Sequence, residues 1–281
     1  MNFEQPVSNL IKTRKSWRSY KNTTIDTDLW KRIKNDVTGE YKGPFENAVR
    51  LDIFGKKHIE ENKNIALGTY GFVKNARYFL IGTVKPNDKA LEDYGFCFER
   101  AILYLTGMGL GTCWLGATFK RSDFARAIHA TEDEIIPAVS PFGHTTEQRS
   151  IRDRLIRMGA KSKKRKPWSE LFFHHAMNTR LTKSDAGTYA VPLEMVRLAP
   201  SASNKQPWRI IKKEKAFHFF LQRHKTNHST MVDFPRIDMG IAMCHFELTA
   251  REQGLSGKWV QARTDIEIEN AEYKFTWIHQ S

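Results

Sequence analysis

An α+β fold made of two related halves is what this sequence predicts, and three observations predict it. The chain repeats itself once. An ungapped shift of 145 residues matches Asp93 with Asp238, Gly95 with Gly240, Leu103 with Leu248, Gly109 with Gly254, Leu110 with Leu255 and Trp114 with Trp259. Those are six identities over 22 positions, where average residue usage gives roughly one or two. Each copy also reads as a helix that stops at a glycine, Gly109 or Gly254, followed by a strand toward the tryptophan. Upstream of each helix lies an aromatic-rich strand pattern, Ala76–Gly82 in one copy and Ala216–Leu221 in the other. Two copies of strand, loop, helix and strand in one chain mimic a two-fold dimer with buried helices at its centre.

The elements follow in order. Val7 to Thr13 is a short apolar-periodic helix, and Asp26 caps a second helix running to about Val37. The helix Phe96 to Met108 is apolar nearly all round, with Glu99 and Arg100 its charged residues, so it should be buried on most sides. Ser122 is expected to cap a short helix to Ala130. The halves divide near Trp168–Thr182, giving residues 1–170 and 171–281. Pro192 to Leu198 is helical in pattern and Trp208 to Ile211 extended. The second repeat helix carries Glu247, Arg251 and Glu252 and should be amphipathic. Tyr273–Ile278 alternates like a late edge strand.

Composition bounds the function. With 281 residues, seven Trp and 18 Phe, the chain can build one large core or two modest ones. The net charge of +14 favours anionic partners such as nucleic acid, acidic lipid or a phosphorylated cofactor, or serves solubility. Positive charge concentrates at Arg14–Arg18, Arg149–Arg157 and Lys161–Lys166. No zinc-finger, zipper or aromatic RNA-binding signature accompanies it, so no specific nucleic-acid partner is expected. Cys97, Cys113 and Cys244 sit in apolar contexts with no short-spaced pair, which reads as buried thiols in a reducing cytoplasm. The polar start carries no signal-peptide core and no run reaches membrane-span length, so a soluble cytoplasmic protein is expected. The histidines, His224 and His228 among them, lack an acidic partner at ligand spacing, and no metal is expected.

Three segments are suited to a ligand. Ala199–Trp208 (APSASNKQPW) is a loop dense in Pro, Ser and Asn that offers backbone amides and short polar groups at a sheet rim. In Arg14-Lys15-Ser16-Trp17-Arg18, alternation puts two guanidiniums and a hydroxyl on one side, a fit for a phosphate with a polyol or polar ring edge. A solvated basic turn is the plainer reading of the same residues. Leu110–Gly116 brings glycines that allow close backbone approach.

Together these segments resemble the FMN-dependent nitroreductase family, in its single-chain, duplicated branch. Arg14-x-Ser16-x-Arg18-x-Tyr20, the Ala199–Trp208 loop, Gly109–Gly116 and Pro137–His144 carry the resemblance over most of the chain. The order departs from the usual pattern. The AlaProSer loop lies in the second half, and its place in the first half is taken by Gly39–Asn47.

The resemblance implies a nitroreductase-like fold, an intramolecular pseudo-dimer and one complete FMN site per chain. It implies that Arg14, Lys163 and Arg165 hold the phosphate, that Ser16 meets the ribityl chain, and that Arg18 lies near the pyrimidine edge, with Lys15 offering main chain. Pro200, Ser201, Ala202 and Asn204 would line the cofactor from the other half, and backbone at Leu115 and Gly116 would approach flavin N5. The implied activity is hydride transfer from NADH or NADPH through FMN to a nitroaromatic, a quinone or a similar acceptor, by a monomer. A flavin-binding protein without turnover is the alternative.

Overall fold

The first helix, α1 (Val7–Thr13), forms because Pro6 sets an extended entry and Val7, Leu10 and Ile11 fall on one buried face. In α2 (Thr27–Val37) the Asp26 carboxylate accepts from the Asp28 and Leu29 amides at 2.9 and 3.3 Å, satisfying donors the helix leaves open. Then come β1 (Gly39–Lys42), β2 (Ala48–Gly55), β3 (Tyr78–Val84), α3 (Ala90–Gly107), β4 (Gly111–Thr112), α4 (Arg121–Ala127) and β5 (Val139–Gly143). The second part holds β6 (Phe172–His174), β7 (Ala176–Arg180), α5 (Lys183–Ala186), α6 (Ala190–Leu198), β8 (Trp208–Lys213), β9 (Ala216–Gln222), α7 (Phe234–Glu252), β10 (Ser256–Val260) and β11 (Ala271–Gln280). The structure is a computed structural model and describes residues 1–55, 67–146, 164–223, 231–261 and 264–280.

Two sheets result. One is antiparallel, in the order β1-β2-β3-β5-β4. The other runs β10-β11-β9-β8-β6-β7 and is antiparallel except where β6 pairs with β8. Every residue of β3 is buried, because layers cover both faces of its sheet. Tyr78 and Leu80 join the main core, while Phe79 and Ile81 join a second cluster with Phe119 and Phe124.

Helices α3 and α7 cross at the centre, and the repeat glycines are where they touch. A methyl group on Gly95 would fall 2.2 Å from the Ile237 carbonyl oxygen, and one on Gly240 would fall 2.0 Å from that of Glu92. The crossing is therefore backbone against backbone. Arg236 of α7 also grips the fully buried Glu92 of α3 in a forked pair, at 2.9 and 2.7 Å. Both helices end at the glycines expected from sequence. Gly109 and Gly254 take φ of 73° and 72°, and Leu110 and Leu255 donate back to Leu105 and Ala250.

Four local expectations are corrected. α3 starts at Ala90 rather than Phe96, because Lys89 enters it in a left-handed conformation with no capping side chain to signal the start. α4 begins after Lys120 with no side-chain cap, so Ser122 is not its cap. α7 is buried along most of its length rather than amphipathic. Its charged groups have distant partners: Glu247 accepts from the Trp259 indole at 2.8 Å and Glu252 from the Ser8 hydroxyl at 2.6 Å. β11 is not an edge strand, since it pairs with β10 on one side and β9 on the other. All three cysteines are buried and none is joined in a disulfide. Among the described residues no helix is long and apolar enough to cross a membrane.

Candidate functional site

Arg14 ends α1 and is almost wholly buried, 9% exposed. Its Nε and Nη1 make no hydrogen bond to any described residue. The nearest carboxylate is Glu99 of α3, whose Oε1 lies 3.8 Å from Nε, an ion-pair separation beyond hydrogen-bond length. A buried guanidinium with open donors is costly unless an anion meets it.

Glu99 does not discharge that demand, because it is already committed. Its Oε2 accepts from the Trp114 indole at 2.7 Å, and its Oε1 lies 2.9 Å from Nε2 of His245 on α7. The other ring nitrogen, Nδ1, lies 2.9 Å from the Met195 carbonyl of α6, which can only accept. Nδ1 therefore carries hydrogen. The Nε2–Oε1 contact then needs a proton of its own, held on either atom. Both arrangements leave the Glu99–His245 pair with no net charge, so Arg14 keeps its full positive charge.

A second cation stands on the same side. Arg165 donates to the Leu198 carbonyl at 3.0 Å and to Asn204 Oδ1 at 2.7 Å. Burial lowers its proton affinity, to a pKa of about 10, with the charges of Arg14 and Arg197 adding to the effect. The loop after α6 is knitted to this segment. Asn204 Nδ2 donates to the Lys164 carbonyl at 2.8 Å, and the Lys166 amide donates to Gln206 Oε1 at 2.7 Å. The Gln206 amide in turn donates to Ser201 Oγ at 2.9 Å. Ser203, Asn204 and Gln206 all take positive φ, a conformation that non-glycine residues hold only under such constraint.

The loop's other anchor is one member of the repeat. The Ala202 amide donates to both oxygens of the buried Asp238 of α7, at 2.9 and 3.1 Å. Its counterpart Asp93 on α3 accepts from the Phe45 and Asn47 amides at 2.9 and 3.0 Å. Phe45 and Asn47 are thus held on Asp93 much as Ala202 is held on Asp238. Burial raises the Asp238 pKa to about 8 and the Asp93 pKa to about 6. A carboxyl raised on folding stabilises while protonated: that contribution is whole below about pH 4 and is lost as pH rises through the folded value. Stability measured by denaturant between pH 4 and 8 should therefore fall with pH. In Asp238→Asn the remaining fall, due to Asp93, should end near pH 6. Parallel curves for the two proteins would contradict the assignment.

The remaining predicted residues are placed as follows. Ser16 pairs in a β-bridge with Thr112, and the Trp17 amide donates to the Thr112 carbonyl, which brings the first motif against β4 and Trp114. Arg18 lies over the Phe72 ring at 5.4 Å, and Lys15 is exposed. Leu115 exchanges amide hydrogen bonds with Val139, and Gly116 packs against the Phe234 ring at the start of α7. One turn further on, the same helix carries Asp238. Gly116 and the Ala202 amide are therefore both carried on the N-terminal half of α7. Pro200 is partly buried beside them. Lys163, most of the basic run, and His224 and His228 lie outside the described residues. Ser201 and Asn204 spend their side chains inside the loop and on Arg165. Glu99, His245, Gln206 and Asp238 were not singled out as site residues. Glu99 had a signal, a carboxylate on an otherwise apolar helix, whereas His245 and Gln206 act through tertiary contacts with no local pattern.

No curated protein matches the chain. A putative nitroreductase from Thermotoga maritima MSB8 has the same fold: it is 21% identical, over 99% of this chain and 95% of its own, with a TM-score of 0.59. A nitroreductase family protein from Clostridium novyi NT is 19% identical over 55% of this chain and 91% of its own, TM-score 0.41. A putative nitroreductase from Desulfovibrio desulfuricans, solved in complex with FMN, is 18% identical over 54% and 95%, TM-score 0.39. The family model described as "Putative TM nitroreductase" matches residues 6–250, a span that holds Arg14, both crossing glycines and the whole Ala199–Gln206 loop, and the chain belongs to that family.

Proposed function

We propose that the chain is an FMN-dependent oxidoreductase with one cofactor site, built where Arg14 meets the Arg165–Asn204 segment. The observation that carries this reading is the buried Arg14 guanidinium, whose open donors no described carboxylate neutralises. The residues fit a phosphate. Two buried or partly buried guanidiniums lie close enough for their charges to act on each other, and a phosphate takes forked donors well.

The chemistry such a cofactor supplies is acceptance of hydride from NADH or NADPH at N5 and its delivery to a nitroaromatic, a quinone or a similar acceptor. The chain's own residues bind and orient. Arg14 and Arg165 hold the phosphate, with Lys163 assigned to the same anion by sequence. Ser16 and Arg18 continue along one extended segment toward the polyol and the ring edge. Pro200 and Ala202 border the site from the loop, whose shape Ser201, Asn204 and Gln206 maintain. This division of labour supports two halves, 1–170 and 171–281, within a monomer. The first sheet draws its strands from residues 39–143 and the second from 172–280.

The test is spectroscopic. Added FMN should bind in a single equivalent, and NADH or NADPH should bleach it on rapid mixing. Arg14→Gln should weaken FMN binding by about 100-fold, the scale of a lost charge-assisted pair. Protein that gains no flavin absorbance sinks the proposal. Flavin that binds but is not bleached leaves a flavin-binding protein without turnover.

A further inference from the structure

Arg209 of β8 is a second buried arginine, 5% exposed, with which no carboxylate among the described residues forms an ion pair. Trp208 and Ile210 enter the main core, while Ile211 joins Phe173 and Phe220 in a separate cluster. Alternation along the strand puts Arg209 with Ile211, on the face turned away from the main core. Its Nη1 donates to the Gln206 and Trp208 carbonyls at 3.1 and 2.6 Å. The edge left over is the one that grips oxyanions. Nε and Nη2 of a guanidinium point the same way, and with that edge Arg236 holds Glu92, Arg50 holds Glu134 and Arg197 holds Glu194. In Arg209 the same edge has no hydrogen-bond partner among the described residues, and unlike the Arg14 donors it is not sealed from solvent.

Lys166 brings a second charge to the same place. Its amide donates to Gln206 Oε1 at 2.7 Å, so Gln206 holds Lys166 with its side chain and Arg209 with its carbonyl. The Lys166 ammonium is half-buried and also lacks an ion pair among the described residues. Burial lowers its proton affinity, and the charges of Arg209 and Lys205 lower it further. Burial pushes Arg209 down to about 10, which leaves it cationic at neutral pH. The exposed Glu170 acts on both cations from beyond ion-pair length. Arg165, the neighbour of Lys166 in the chain, instead feels the charge of Arg14. Adjacent cations thus serve two separate places.

We propose that Arg209 and Lys166 form an oxyanion site, separate from the Arg14 cluster, that takes a phosphate dianion, free or as a monoester. Two cations withdrawn from water against one exposed carboxylate leave positive charge that a dianion balances. A phosphate offers two oxygens to the open Arg209 edge and a third to the Lys166 ammonium.

The probe is inorganic phosphate, titrated calorimetrically at low ionic strength into the full chain with saturating FMN and into Arg14→Gln without it. A single equivalent should bind in both arms, with a Kd below about 1 mM. The Arg14→Gln arm makes the result independent of whether the chain binds flavin. Arg209→Lys keeps the charge and loses the fork, and should raise Kd by at least about tenfold. Lys166→Gln keeps the main-chain amide that Gln206 holds and should raise Kd by at least about fivefold, which preserves the test should Arg209→Lys fail to fold. Phenyl phosphate separates the two sources: binding at least as tight as that of inorganic phosphate assigns a monoester, and weaker binding assigns the free ion. The proposal is overturned if phosphate fails to bind at about 10 mM or if FMN displaces it. It is also overturned if potassium chloride at matched ionic strength abolishes binding, or if the folded variants bind as the parent does.

Discussion

Gly240→Ala is expected to destabilise the chain by about 3 kcal/mol or more, seen as a lower denaturant midpoint. The added methyl would sit 2.0 Å from the Glu92 carbonyl oxygen, 2.8 Å from its carbon and 2.9 Å from the Phe96 nitrogen. All three are backbone atoms of α3, so no side chain can rotate aside and the helices must separate. Separation would also strain the Arg236–Glu92 fork. Gly95→Ala meets the same crossing from the other helix, 2.2 Å from the Ile237 oxygen. Once one methyl has parted the helices the second should add little, so the double variant should cost less than the sum. Gly254→Ala is the control. Nothing lies within 4 Å of its added methyl, and the φ of 72° alone should cost about 1–2 kcal/mol. A Gly240→Ala protein no less stable than Gly254→Ala would mean the helices do not approach as described.

These glycines show what the sequence made legible and what it did not. Gly95 and Gly240 stand in register in the repeat, and the apolar girth of α3 predicted a central helix. That the two glycines touch each other could not be read, because register along a chain says nothing about which faces meet. α7 was misread for a related reason. Glu247 and Glu252 look like a solvent face until Trp259 and Ser8 arrive as donors from elsewhere.

The site follows the same rule. Arg14, Arg165 and the AlaProSer loop were visible as local chemistry, and the equivalence of Gly39–Asn47 with that loop came from the family resemblance. Asp93 and Asp238, aspartates 145 residues apart, each hold one of these loops by backbone amides. The uses of Ser201 and Asn204 were not visible. Several donors and acceptors sit within six residues there, and only the packed loop decides which of them pair.

The second large effect concerns charge. His245→Leu is expected to weaken anion binding at Arg14 by about tenfold, although His245 is a buried residue one contact removed from it. In the native arrangement the Glu99–His245 contact holds a proton, so Glu99 cannot neutralise Arg14. Without the imidazole, Glu99 keeps the Trp114 donor but loses the partner that shares its charge, and its carboxylate turns to the guanidinium 3.8 Å away. The Arg14 charge is then cancelled and an incoming anion finds less to bind. Glu99→Gln separates this account from general damage. A glutamine can still accept from Trp114 and donate to His245 Nε2 with no change in net charge, so anion affinity should stay within about threefold of the parent. The double variant Glu99→Gln/His245→Leu should recover most of the affinity lost in His245→Leu. Glu99→Ala should instead cost about 1–3 kcal/mol of stability, because it leaves the Trp114 indole and the buried His245 ring nitrogen without their partner. Sulfate and FMN serve as separate probes, read by calorimetry and absorbance. If the double variant binds both anions as weakly as His245→Leu does, the loss comes from packing around the ring, and Glu99 does not set the charge at Arg14.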